Sequence, residues 1–207
     1  MEKKEIGSKA TVSRLPAYLR YLKGEAGKGV NFVSSAAIAA DMGYSSVGVR
    51  KDLALVSSYP GKPRMGFEVK LLIADIERFL GYHGKTAAVV VGAGGLGRAI
   101  LSYEGFENYG LEVIAAFDAS PSKIGAWGGK PVYPMDRLPE LVRRNGVRAG
   151  ILTVPKESAQ AACDEMVAAG ISAVLNFAPV YLTVPEGVKV AYEDLAASLA
   201  ALCGGAT

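Results

Sequence analysis

Apolar residues recur at helical spacing through the first 84 positions. Leu15, Leu19 and Leu22, joined by Tyr18, share one face of a first helix. Ser13 is placed to cap it, Pro16 falls early enough to be tolerated, and Gly24, Gly27 and Gly29 are expected to end it. A second helix is expected from Ser34 or Ser35 through Asp41, with Ile38, Ala39 and Met42 turned inward. After Gly43 a third starts at Ser45 or Ser46 and continues through VGVRKDLALV, burying Val49, Leu53 and Val56. Helix, glycine-containing turn and helix is the order of a helix-turn-helix. Pro60, Gly61, Pro63 and Gly66 then mark a loop which, between extended flanks, has the form of a β-wing. KLLIADIERFL (70–80) reads as a linking helix, ending at a boundary over 81–85.

Beyond that boundary the pattern changes. Short apolar runs at 86–91, 113–117, 149–154 and 173–175 alternate with helical stretches at 95–103, 136–144, 157–169 and 193–202. A weaker run at 188–190 suits an edge strand. Alternating strands and helices predict a parallel βαβ sheet. The fold class is therefore α/β: an N-terminal winged helix-turn-helix domain (1–84) followed by a Rossmann dinucleotide-binding domain (85–192).

Gly92, Gly94 and Gly97 form GxGxxG directly after the first strand of the second domain, with Ala93, Gly95 and Leu96 between them. Strand, glycines and helix in that order are the dinucleotide fingerprint. The first glycine permits the tight turn, the second admits a pyrophosphate, and the third lets the helix close on the sheet. Asp118 ends the next strand, 21 residues after Gly97. Its carboxylate can accept from an adenosine ribose and would repel a 2′-phosphate, which favours NAD over NADP, and Lys123 partly offsets that repulsion. Thr153, Val154 and Pro155, and Asn176, Phe177, Ala178 and Pro179, follow later strands at the carboxyl ends, where they are candidates to line the same cleft.

Composition narrows the choice. Half of the 207 residues are hydrophobic, which argues against a disordered chain. The net charge of +3 is nearly silent until the chain is divided. Residues 1–84 carry 13 basic and 8 acidic side chains, a net of +5, whereas 85–207 carry 10 and 12, a net of −2. A polyanion suits the front half. Arg50 and Lys51 on the third helix are candidates for base edges or phosphates, Ser45 and Ser46 for phosphate, and Lys62 and Arg64 for the minor groove or backbone. Cys163 and Cys203 form no CxxC pair and His83 stands alone, so neither a disulfide framework nor a zinc site is expected. No leader and no 18-residue apolar run appear, so a cytoplasmic protein without a membrane partner is expected.

No residue is assigned to catalysis. The second half lacks histidine, Glu107 stands where a Tyr-x-x-x-Lys pair beginning at Tyr103 would need lysine, and neither cysteine has an evident base. A domain that binds nicotinamide cofactor without turning it over fits this shortage. An NAD-dependent oxidoreductase with an assembly domain in front is the alternative.

The joint order of SRLPAYLRYL, VSSAAIAADMG, VRKDL, MGFEV, VVVGAGGLGRAI with YEGF, FDASPSKIG, ILTVPKESAQ and LNFAPVYLTVP with a later EDL resembles the Rex family of bacterial redox-sensing transcriptional repressors over nearly the whole chain. The resemblance implies a homodimer that holds double-stranded operator DNA when NADH is scarce and releases it when NADH binds. It implies that Arg50 and Lys51 belong to the recognition helix, Lys62 and Arg64 to the wing, and Tyr103 and Phe106 to the nicotinamide end. Asp194 resembles the family acid that pairs either with this tyrosine or with an N-terminal arginine, best matched by Arg14, according to cofactor state. Residues 193–207 would form a dimerisation helix swapped onto the partner. Gly48 stands where the family usually has glutamine and Leu55 where it often has tyrosine, and the wing has fewer glycines. A paralogue with weakened DNA binding is thus a further alternative.

Overall fold

A computed structural model describes residues 9–82 and 84–204. Residues 1–8, where no leader was expected, His83 and 205–207 lie outside the described residues. The chain divides into two compact units after Gly84.

The first unit contains α1 (Lys9–Gly27), β1 (Phe32–Val33), α2 (Ser35–Met42), α3 (Ser46–Val56), β2 (Phe67–Glu68) and α4 (Val69–Leu80). Helix α1 begins before Ser13, so that residue is no cap; its hydroxyl donates back to the Ala10 carbonyl. Gly24, expected as a breaker, and Pro16 both lie inside the helix. Tertiary burial explains why. Leu15, Tyr18, Leu19 and Leu22 are completely buried against Ile38, Val49, Leu53, Leu72 and Ile76. Each such side chain contributes about 1.5–3 kcal/mol, against about 1 kcal/mol for an interior glycine and about 3 for a proline. The next two helices start as expected. The Ala37 and Gly48 amides donate to Ser34 and Ser45, which cap α2 and α3. The wing is a short antiparallel pair of β1 with β2, extended by a bridge between Lys62 and Gly66. Gly66 has φ 86°, and a Cβ there would collide with the Val33 carbonyl, so glycine is required.

The second unit contains β3 (Thr86–Val91), α5 (Gly95–Leu101), β4 (Leu111–Asp118), β5 (Gly125–Trp127), β6 (Lys130–Pro134), α6 (Leu138–Asn145), β7 (Ala149–Leu152), α7 (Lys156–Ala168), β8 (Ala173–Asn176), β9 (Lys189–Tyr192) and α8 (Leu195–Gly204). They build one sheet in the order β5-β6-β4-β3-β7-β8-β9, parallel except for β5. Helix α5 stops two residues short of Tyr103, and a 3-10 turn (Glu104–Tyr109) follows. The β5–β6 hairpin was not expected from the sequence.

Helices α6 and α7 cover one face of the sheet, burying Phe117, Leu138, Leu152, Cys163 and Met166. On the other face α5 packs Ile100 and Leu101 over Val90 and Val113. The chain joins β8 to β9 without a helix, which leaves an apolar groove of about 290 Å³ over β7, β8 and β9, lined by Phe106, Ala149, Ile151, Ala173, Leu175 and Ala191. Helix α8 is exposed along its whole length, with Leu195, Leu199 and Leu202 among the exposed large apolar side chains. No described helix is long and apolar enough to cross a membrane.

Candidate cofactor cleft and nucleic-acid interface

The order of the sheet reverses direction between β3 and β7, and ligands of open α/β sheets bind where strand order reverses, at the carboxyl ends. Gly92 leaves β3 with φ 102°, and a Cβ there would press on the Thr153 carbonyl and the Val154 side chain. A Cβ at Gly97 would drive into the Gly92 carbonyl oxygen, so α5 can start this close to the strand only with glycine. At Gly94 a Cβ would meet nothing within 4 Å, and the open space belongs to the cleft. Thr153 pins the turn from the neighbouring strand: its hydroxyl donates to the Gly92 carbonyl at 2.7 Å.

Asp118 sits nearly buried at the end of β4 and ties this loop to the next. Its Oδ2 accepts from the Ala93 amide (2.7 Å) and from Lys123 Nζ (3.0 Å), and its Oδ1 accepts from the Ser120 amide (2.8 Å). Burial pushes the carboxyl up, but the Ser120 amide, the Lys123 ammonium and the Ala93 amide together hold it below the usual carboxylate range. A carboxylate has about four acceptor sites. Three are occupied, and the one left on Oδ1 suits a ribose hydroxyl.

The cleft holds about 530 Å³ and brings together Gly92, Gly94, Leu96, Asp118, Lys123, Thr153, Val154, Pro155 and Phe177. It also includes Met135, Ser158, Ala161 and Glu165, which sequence reasoning missed. The last three recur at helical spacing on α7, a small-and-polar stripe that marks a wall facing the strand ends. A second cavity of about 450 Å³ shares Leu96 and Phe177 with the first and adds Asn176, Ala178, Pro179, Tyr181, Tyr192 and Asp194. Asn176 is fully used within its loop: its amide donates to the Ala178 and Val180 carbonyls and its oxygen accepts from the Ala178 amide. Asp194 accepts from the Ala197 amide at 2.8 Å and caps α8. Ala93 is buried behind the turn and Gly95 is exposed at the start of α5. Tyr103 and Phe106 line neither cavity; they stack edge to face, centroids 5.4 Å apart, with Tyr103 61% exposed.

In the first unit, Arg50 of α3 and Lys62 and Arg64 of the wing line one groove of about 660 Å³ with Ser34, Ser57 and Tyr59. The Lys62 ammonium also lies 4.9 Å from the centre of the Phe32 ring. Arg64 adopts a left-handed backbone, φ 64°, at the third position of a turn closed by the Met65 amide on the Lys62 carbonyl. Ser46 and Lys51 are exposed on α3 outside this groove. Arg14 is not free in this arrangement: its Nε and Nη2 pair with the two oxygens of Asp52 at 2.7 and 2.9 Å.

Comparison with known proteins agrees with both halves. Residues 83–180 match the family model described as "CoA binding domain", and residues 8–54 the one described as "Putative DNA-binding protein N-terminus". The redox-sensing transcriptional repressor Rex of Treponema denticola is 40% identical over 203 residues, 98% of this chain and 96% of its own. The Streptomyces coelicolor Rex repressor is 42% identical over 191 residues, 92% of this chain and 74% of its own. A crystal structure of RSP in complex with beta-NAD+ and operator DNA matches with a TM-score of 0.85 at 32% identity, covering 95% of this chain and 91% of that one. RSP in complex with beta-NADH gives 0.82 at 32% identity, with 95% and 92% covered.

Proposed function

The chain belongs to the Rex family of redox-sensing transcriptional repressors, and we propose that as a homodimer it holds operator DNA and releases it when NADH fills the Rossmann cleft. It is a regulator and not an enzyme. The observation that carries this reading is the pairing, in one chain, of a dinucleotide cleft whose buried acid keeps one acceptor site open with a groove lined by Arg50, Lys62 and Arg64. Gly92, Gly94 and Asp118 hold the adenosine-diphosphate half of the cofactor, and Asp118 selects against a 2′-phosphate. The cavity formed by Asn176–Tyr181 with Asp194 takes the nicotinamide half. Tyr103 and Asp194 sense the redox state of that ring, and Asp194 exchanges between Tyr103 and Arg14 as the cofactor changes.

The dimer has a physical basis. The unpartnered leucines of α8 match the apolar groove over β7–β9, and α8 of each subunit crosses to fill that groove on its partner. The protein works in the cytoplasm, where operator and NADH meet. NADH acts by preferring the arrangement that cannot span two half-sites; a tenfold loss of operator affinity requires about 1.4 kcal/mol of such preference. The test is a binding titration on a duplex selected from a random-sequence pool by the protein itself, at fixed salt, with saturating NAD+ or NADH. Weaker binding with NADH is expected. Equal affinity in the two states rejects the regulatory reading.

A further inference from the structure

We infer that Asp52, a buried carboxylate on the recognition helix, is a positioning residue that sets the rotation of that helix and passes to it the state of Arg14. The second half of this inference rests on the proposed exchange of Arg14; the first half does not.

Helix α3 presents two faces. Val49, Leu53 and Val56 are buried against α1, α2 and α4, while Arg50 and Lys51 point outward. Apolar contact is non-directional. It fixes where α3 lies but only weakly how far it is turned about its axis, and that turn decides where Arg50 and Lys51 aim. Asp52 interrupts the apolar face with directional bonds to α1. Its Oδ1 accepts from Thr11 Oγ1 (2.9 Å) and Arg14 Nη2 (2.9 Å), and its Oδ2 accepts from Arg14 Nε (2.7 Å) and the Tyr18 hydroxyl (2.8 Å). Two donors on each oxygen fill the acceptor sites of a carboxylate. Burial and the adjoining carboxylate push the Tyr18 phenol up to about 12, so it donates across the physiological range.

Arg14 supplies two of the four bonds and the charge that balances Asp52. A third of its side-chain surface stays open to solvent, in contrast to the buried carboxylate. Drawing Arg14 toward another acid would leave Asp52 buried and half-satisfied, which is unfavourable, so α3 must turn or loosen to rehydrate it. Arg14 is thereby linked to the base-reading surface through a single carboxylate.

The test compares wild-type, Asp52→Asn, Arg14→Lys and Tyr18→Phe full-length proteins, using the selected duplex with NAD+ and with NADH. Asparagine keeps the volume but cannot accept on both sides, and lysine keeps the charge but loses the two-pronged contact. Asp52→Asn and Arg14→Lys are each expected to weaken duplex binding in NAD+ at least about tenfold and to shrink the ratio between the duplex affinities measured in NAD+ and in NADH. Tyr18→Phe, which spares the ion pair, keeps that ratio. A merely structural role would lower the melting temperature yet leave the folded protein with wild-type duplex affinity and ratio, and that result overturns the inference. If Asp52→Asn does not fold, Arg14→Lys decides it on the same readouts. If wild-type binding ignores the cofactor, the proposed function fails, and the positioning role is judged on the NAD+ affinities alone.

Discussion

Replacing Asp118 with asparagine probes the cleft at its most constrained atom pair. In the protein the carboxylate already serves Ala93, Ser120 and Lys123, with one acceptor site left on Oδ1. Asparagine keeps the shape but turns one accepting oxygen into a donor. If the oxygen stays toward Ala93, the amide nitrogen confronts the Ser120 N–H and the ribose site; if it flips, two donors meet at Ala93. A hydrogen bond to a charged group is worth about 1.5–3 kcal/mol, which converts to roughly 10- to 150-fold in NADH affinity. Calorimetric titration of the full-length protein with NADH, beside a thermal melt, measures both effects. An affinity within twofold of wild type at unchanged melting temperature would falsify the ribose role. The sign of the pH dependence is also fixed. The folded carboxyl is depressed below its ordinary 3.8, so its contribution is complete above about pH 4 and fades only as pH falls through the lowered value. NADH affinity should be flat with respect to this group from pH 5 to 8.

Gly97→Ala forces a Cβ against the Gly92 carbonyl; overpacking of this kind costs about 1–3 kcal/mol, so the melting temperature should fall by several degrees and NADH binding should weaken, and a wild-type melt would contradict the close approach. Leu199→Glu combined with Leu202→Glu should convert the dimer to monomer in sedimentation equilibrium, while an unchanged mass would remove α8 from the interface. Arg50→Ala should weaken duplex binding by about 1–3 kcal/mol if it reads a base, and lower the salt slope by about 1 if it meets phosphate; wild-type affinity at matched salt would exclude both.

Much of the candidate cleft could be read from the chain because its parts are local. Strand β3, the glycines, α5 and Asp118 succeed one another within 33 residues, and their spacing alone places them. What could not be read depends on distant partners. β1 and β2 have two residues each and exist because Phe32 and Val33 meet Glu68 and Phe67 across the wing. The β5–β6 hairpin turns on Gly128 and Gly129 without an apolar alternation to announce it. Gly24 was expected to end the first helix, and α1 runs through it because its buried face outweighs local preference. Asp52 lies inside VRKDL, beside the basic residues that drew attention to that motif. Its role depends on Thr11, Arg14 and Tyr18, between 34 and 41 residues away, and no spacing rule connects them.

The bare sheet face over β7–β9 and the bare helix α8 have a consequence for protein abundance. If α8 crosses to the partner as proposed, each subunit completes its neighbour's core and the dimer buries apolar area that a lone chain must leave in water, so stability follows mass action. The melting temperature then rises with protein concentration. On that arrangement a dilute chain is the one that opens more readily to proteases, so protein concentration and redox response are expected to be coupled.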